Sequence, residues 1–482
     1  MNPYEDLRPR RRNPATAALL GCAFLAVLDG TVVGTALPRI VRQIGGSGTW
    51  YVWLVTAYLL TSSVSVPVYG RFSDLYGRRR LLLGGLAVFL VGSTACALAA
   101  TMPVLLASRA VQGLGAGALL TLGMALIRDL HPPSRPQGLI RMQTALATMM
   151  VLGMVGGPIL GGLLADHAGW RWAFWLNLPF GLVAWLLIAL LLPGHRPAAA
   201  PSGRLDAAGI LLLTSGLGLV LIGLSLKGNT ADGRWSDPAV GGCLLGGLTL
   251  LALLVPVERR AAVPVLPLRL FHDRTYSALL AAGLLFQVAA MPVGILLPLY
   301  FQQQRDYSAT ASGLLLLPLL IGMTVGNRLT AAAVTRGRQV RSVLLTGAAL
   351  LTAGTAGLLA LGSSTPLPLT SVLLLTVGLG TGPAMGGLTI ATQSCVPPAD
   401  MGTATAGSAL AKQIGGAFGL ACAQSLLARS DTAVGPTIAW TGVPAGLLAA
   451  GALLLVRDLT LATPNRPLSE GSPRPTGQKG RV

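Results

Sequence analysis

Fourteen predominantly apolar stretches of about twenty residues succeed one another along this 482-residue chain, with only short polar segments between them. A helix of that length spans about 30 Å, the thickness of bilayer hydrocarbon, and satisfies its own backbone there. Charged residues make up 11% of the chain, where a soluble domain carries about a quarter. The expectation is an all-α integral membrane protein without a soluble domain. Its 62 glycines and 32 prolines fit that setting, because packed neighbours re-satisfy an interrupted helix.

Helices are expected near 15–37, 50–69, 81–100, 103–126, 139–164 and 173–192, then near 206–226 and 238–257. Six more follow near 275–300, 312–333, 342–361, 367–391, 402–427 and 434–456. Polar breaks at "PGHRPAAAPSGRLD" (193–206) and "ERRAAVPVLPLRLFHDRTY" (258–276) divide the series into six, two and six. The expected organisation is an N-terminal segment (1–14), a six-helix half (15–194) and a linker with two extra helices (195–262). A second six-helix half (263–456) and a disordered tail (457–482) complete it. Two such halves suggest a transporter built from repeats, its site at their interface near the midplane.

Orientation follows from the basic residues. With a cytoplasmic N-terminus, 25 of the 35 Lys and Arg fall in inner segments and seven in outer loops, so both termini are expected in the cytoplasm. The net charge of +19 is thereby a matter of topology, and no nucleic-acid partner is expected. The five cysteines lie in or beside apolar spans without a paired loop pattern, so neither a disulfide nor a metal site is expected. The start, "LRPRRRNPATAALLGCAFLAVL", has the basic-then-apolar order of a signal peptide, but thirteen further spans favour an uncleaved first helix.

Three motifs stand out. The second inner loop, "GRFSDLYGRRR", holds Gly70, Asp74, Gly77, Arg78 and Arg79; its glycines allow a tight connection and its acid can lock helix ends. By spacing alone it reads equally as a topology-setting basic loop. Span four carries "ASRAVQGLGAGALL", with Arg109, Gln112 and closely spaced glycines. Span five carries "VLGMVGGPILGG": Gly153, Gly157 and Gly161 strip one face, Gly162 follows, and Pro158 adds a bend.

Together these stretches, with "LDGTVVGTALPRI" in span one and "GWRWAFWLNLP" after span five, resemble the major facilitator superfamily, specifically its fourteen-helix drug:proton antiporter family. "LPLYFQQQRDYSATASGLLLLP" and "MGTATAGSALAKQIGGAFGLA" are similar to that family's second half, so the likeness runs from about residue 15 to 456. It implies fourteen transmembrane helices as 6+2+6, two pseudo-symmetric halves around a central cavity, and proton-coupled export of hydrophobic or amphiphilic molecules such as drugs from the cell's inner membrane. Two departures matter. The second-half loop "GNRLTAAAVTRGRQVRS" lacks the acid, and Lys412 stands where family members often have arginine.

Asp29 is the one acid expected deep inside a span, and such a residue faces a partner or a wet cavity. It lies roughly 13 Å below the outer end of span one, and Arg109 roughly 10 Å below that of span four, at 1.5 Å per residue. The depths agree, so the two can meet. Removing water from a carboxylate favours its neutral form, and a nearby guanidinium favours its charged form. A pair that approaches and separates would load and release a proton; the alternative is a permanent salt bridge between spans one and four. Gln112, Gln287, Asn327, Lys412 and Gln413 are the candidate cavity residues. With one acid against two deep cations, a neutral or anionic amphiphile is the expected cargo.

No GxxxxGK[ST] loop is present for an ATP-driven pump. The short loops, poor in His and Cys, offer no enzyme's nucleophile-base pair. Apart from the coupling proton, no cofactor is expected. The rival reading is a symporter or uniporter that imports a metabolite; a non-transporting sensor would have no need of Asp29. A monomer is expected, since one chain carries both halves.

Overall fold

In the computed structural model, residues 9–45, 49–131, 136–194, 207–229, 237–260, 268–336, 339–397, 401–429 and 434–456 are described. The N-terminal segment before residue 9, the 195–206 and 261–267 stretches and the tail from 457 lie outside them.

Helices occupy all fourteen expected stretches. The first group comprises α1 (Pro9–Ile44), α2 (Thr49–Tyr76), α3 (Arg78–Leu98), α4 (Met102–Leu130), α5 (Pro136–Leu163), and the collinear pair α6 (Trp172–Trp175) and α7 (Asn177–Leu191). Next come α8 (Ala207–Asn229) and α9 (Pro238–Arg260). The last group comprises α10 (Arg274–Leu299), α11 (Ala309–Leu315) with α12 (Leu317–Thr335), α13 (Val340–Gly357), α14 (Leu367–Ser394), α15 (Met401–Arg429) and α16 (Val434–Leu454). Among the described residues, eleven helices are long and apolar enough to cross a membrane; α2, α8 and α15 are the expected spans outside that set.

Local sequence explains the breaks. Gly77 has φ +88°, a backbone that L side chains rarely adopt, so the chain turns there from α2 into α3. Asp273 caps α10, its carboxylate accepting from the N–H groups of Thr275 (2.7 Å) and Tyr276 (2.9 Å). Pro38 does not end the first helix: α1 runs on to Ile44, so Arg39 and Arg42 project from a helix rather than a loop.

The packing repeats. In the first group α1 lies against α5 and α7, α4 against α2 and α3, and α3 against α7. In the last, α10 lies against α15 and α16, α14 against α12 and α13, and α13 against α16. Each group buries an apolar core of its own, one around Leu86, Phe89 and Leu119, the other around Phe286, Leu344 and Leu351. Where the groups meet, α5 packs on α11 along one seam and α2 approaches α15 along the other. The α8 helix lies across this second seam, with Leu217, Val220 and Leu221 packed among Leu60, Leu410 and Ala421. Alternating direction along the chain puts Arg10–Arg12 and Arg78–Arg80 at one end, here termed the arginine-rich end.

Candidate functional site

Asp29 and Arg109 meet inside the first group, only 1% and 2% exposed. Arg109 Nη1 donates to Asp29 Oδ2 at 2.7 Å. Asp29 Oδ1 accepts from Gln112 Nε2 (2.8 Å) and Asn177 Nδ2 (2.7 Å). The guanidinium also donates to Gln112 Oε1 at 2.8 Å, and it lies 4.1 Å above the Tyr58 ring. Three donors on one carboxylate and an aromatic face on the cation account for how both charges tolerate burial. Both carboxylate oxygens are thereby engaged by donors from α4 and α7.

Two members of this cluster carry no role in the sequence reading. Asn177 sits in "WLNLP", where an amide beside a proline reads as a helix end; it is buried, and Ser93 Oγ accepts from the same nitrogen at 3.1 Å. Tyr58 reads as one more apolar ring, yet its hydroxyl donates to Ala26 O at 3.2 Å and its face covers Arg109. Gln112 is relocated. Three residues after Arg109 it shares that residue's helix face, so it serves Asp29 and does not line the cavity.

The cavity, about 390 Å³, lies between the two groups at mid-depth. Helices α2, α4, α10, α14 and α15 line it, and Gln287, Lys412 and Gln413 reach it. Lys412 Nζ donates to Ala384 O at 3.0 Å, while Gln413 bridges to Ser63 Oγ and Leu59 O on α2. Asn327 is not part of its wall; it packs beside Gly386 on α14, because α12 turns that face toward its neighbour.

Two packed helical groups with a cavity between them have counterparts among known proteins. The Major Facilitator Superfamily pattern matches residues 19–420. The chain belongs to that superfamily. It is 33% identical over 459 residues to an uncharacterized MFS-type transporter of Mycobacterium tuberculosis, spanning 95% of this chain and 66%, just under two thirds, of that relative. It is 32% identical over 420 residues to the multidrug transporter protein MdtP of Bacillus subtilis, 87% of this chain and 76% of that one. A crystal structure of an auto-inhibited POT family peptide transporter overlays with a TM-score of 0.67 at 14% identity, covering 95% and 99% of the two chains; at that identity the fold is what they share. The protein is thus an all-helical multi-pass membrane protein of this superfamily, whose members are transport proteins rather than enzymes.

Against that background the remaining motifs find their partners. In the major facilitator loop "GRFSDLYGRRR", Arg78 Nη1 donates to both carboxylate oxygens of Asp129 at 2.5 Å, tying the start of α3 to the end of α4. Arg79 donates to Ala189 O on α7 at 2.5 Å. The acid that Arg78 meets thus comes from α4; the side chain of Asp74 lies outside the described residues. The glycine face of α5 meets α1, the helix that carries Asp29. A Cβ on Gly153 would lie 3.2 Å from Leu28 N, and one on Gly157 or Gly161 would collide with Thr31 or with Val32 and Thr35. Thr31 and Thr35 hydroxyls donate to Gly153 O (3.0 Å) and Pro158 O (3.3 Å). Gly162 faces the other way, with Ala309 O 2.5 Å from its would-be Cβ. One glycine-rich helix therefore seats both α1 and the second group.

At the end opposite the arginine-rich one, Asp166 follows α5 in a short π-helical turn and accepts from Arg39 Nη1 at 2.7 Å. Its other oxygen accepts from the N–H and hydroxyl of Thr310 on α11, at 2.8 and 2.7 Å. Gln302 donates across the same seam to Thr35 O at 3.0 Å. Sequence reading left Asp166 among the loop acids, since nothing local announces a partner in the other half.

Proposed function

We propose that this chain is a proton-coupled antiporter that exports hydrophobic or amphiphilic small molecules by alternating access. In this reading it crosses the cell's inner membrane fourteen times, as 6+2+6, with both termini in the cytoplasm, and works as a monomer. The basic bias of the arginine-rich end supports that orientation. The contacts of Asp166 and Gln302 then lie on the outer side, so the conformation described is one closed to the outside.

The observation that carries the proposal is the buried Asp29–Arg109 pair on helices that pack against the cavity-lining bundle. Breaking such a pair by removing one partner costs about 3–5 kcal/mol, so it opens only where something compensates. A proton is the natural compensation: it cancels the carboxylate's charge and frees Arg109 to bond elsewhere. Movement of α1 along the glycine face of α5, with exchange of the Thr31 and Thr35 hydrogen bonds to its carbonyls, would change the separation of Asp29 and Arg109. Proton uptake from the outside and cargo release would thereby share one motion. The names of relatives such as MdtP support a drug-like cargo.

The test is transport in inside-out vesicles under an imposed pH gradient, comparing wild type with Asp29→Asn. Wild type should accumulate a hydrophobic drug when the lumen is acid, and the variant should bind the drug without accumulating it. Equal gradient-driven accumulation by the variant would make the pair structural. Inward movement of cargo with protons would indicate a symporter instead.

A further inference from the structure

The mid-depth cavity holds one cation, Lys412, and among its described lining residues there is no Asp or Glu. The Lys412 stem extends past Gly283 on α10, where a Cβ would lie 3.6 Å from Lys412 Cγ and 3.7 Å from Cε. That glycine leaves the long side chain room to lie along the wall. At its tip Nζ donates to one carbonyl, Ala384 O, at 3.0 Å. An ammonium has three N–H donors and cannot accept, so two directions remain for other partners. One helical turn beyond Gly283 lies Gln287, which also lines the cavity. Its Nε2 meets Met291 Sδ at 3.9 Å, a weak acceptor that leaves amide N–H capacity for a ligand.

The nearby acid does not balance this charge. Asp29 is off the cavity wall and already carries Arg109, Gln112 and Asn177. The rest of the lining is uncharged, with Val66, Leu120, Phe286 and Leu410 beside the hydroxyls of Ser62, Ser63 and Thr381, a setting in which a cation lacking a counter-charge is costly. An amphiphile that brings its own negative group would supply one. We infer that the cavity takes amphiphilic organic monoanions, a carboxylate or sulfonate on an apolar ring system, with Lys412 Nζ pairing the anion and the Gln287 amide donating beside it. This rests on the cavity being the cargo site of the proposed antiporter. Export of a monoanion against an entering proton moves charge twice in the same direction, so the membrane potential drives such cargo as well as the pH gradient.

The experiment uses the full chain in lipid nanodiscs, with protein-free nanodiscs as the partition blank, and three probes on one ring system: 1-pyrenebutyrate, its neutral amide and the corresponding primary amine. Wild type should bind the butyrate about tenfold or more tighter than the amide, the strength of one charge-assisted hydrogen bond. Lys412→Gln should bring butyrate and amide within about twofold, and Lys412→Arg should keep the preference. A wild-type unfolding temperature shows that the variant is folded; should Lys412→Gln not fold, Lys412→Met gives the same readout. An intact preference in Lys412→Gln, or a wild type that favours the amide or amine, overturns the inference. Gradient-driven transport of the amide in sealed inside-out vesicles separates the two readings. If it persists without an anion preference, the inference alone fails. If the preference stands but no probe moves with the gradient, proton coupling alone fails.

Discussion

Asp166 and Thr310, 144 positions apart in sequence, are joined by two hydrogen bonds to a single carboxylate oxygen, while Arg39 holds the other. The contact caps the start of α11 with an acid from the opposite group. Each net bond contributes about 1 kcal/mol, so Asp166→Ala should shift the balance about tenfold or more toward a state open at that end. Hydrogen exchange over 309–315 reads this directly, and faster exchange in the variant is expected. Unchanged protection would mean that the seam is held by apolar packing.

Charge-conserving replacement of Arg109 should not be neutral. Lysine keeps the positive charge, but its ammonium sits one atom nearer the backbone than Nη1, the donor to both Asp29 and Gln112, and it does not stack as a guanidinium does on Tyr58. Arg109→Lys is expected to reduce gradient-driven transport about tenfold or more with normal membrane insertion. Full activity would show that charge alone suffices.

The glycine face of α5 predicts a steric effect. A leucine at Gly157 would occupy the space of Thr31, forcing α1 away from α5 and moving Asp29. Overpacking of this kind costs about 1–3 kcal/mol. Gly157→Leu should lower both thermal stability and transport, whereas leucine at Gly156, which has no atom within 4 Å of its would-be Cβ, should leave stability unchanged.

Asn177 is expected to matter for coupling more than for assembly. Asn177→Leu removes one of three donors to Asp29. Losing a hydrogen bond to a charged group should reduce gradient-driven transport about tenfold while membrane insertion stays normal. Transport equal to wild type would count against a role for Asn177 at the acid.

A separate pH effect arises beyond the apolar part of α4. Burial and the Arg12 guanidinium hold the His131 imidazole below its ordinary 6.5. As pH falls through that value the unfolded chain takes up the proton first, so this contribution to stability is present above about 6.5 and is lost below it. The Tm of wild type should therefore fall more between pH 7.5 and 5.5 than that of His131→Gln. Equal falls would place the acid sensitivity elsewhere.

Much of this architecture is legible in the sequence, because a bilayer demands runs of fixed length and leaves a lone Asp29 conspicuous. Depth arithmetic on two helices is enough to pair it with Arg109. Gln112 shows where such reading stops: its spacing from Arg109 holds the signal that it belongs to Asp29, but an amide in an apolar span suits a cavity as well. Asn177 is masked by the proline after next, and Thr310 by distance along the chain. A contact such as Asp166–Thr310 exists only once two halves have folded and docked, and no local pattern encodes it. The full length of α1 was obscured by Pro38, which a long, well-packed helix absorbs.

The helix α8 gives the two flanks of the transporter different characters. Its far end is tied to α15, where Lys227 Nζ donates to Ser425 Oγ at 3.2 Å and that hydroxyl donates back to Lys227 O at 3.2 Å. Against α2 its contact is apolar. In the proposed rocking of the halves, α8 is fastened to the second by these hydrogen bonds and meets the first through apolar side chains, an awning fixed along one edge. A molecule dissolved in the surrounding lipid meets a roofed flank on that side and a bare glycine-lined joint on the other.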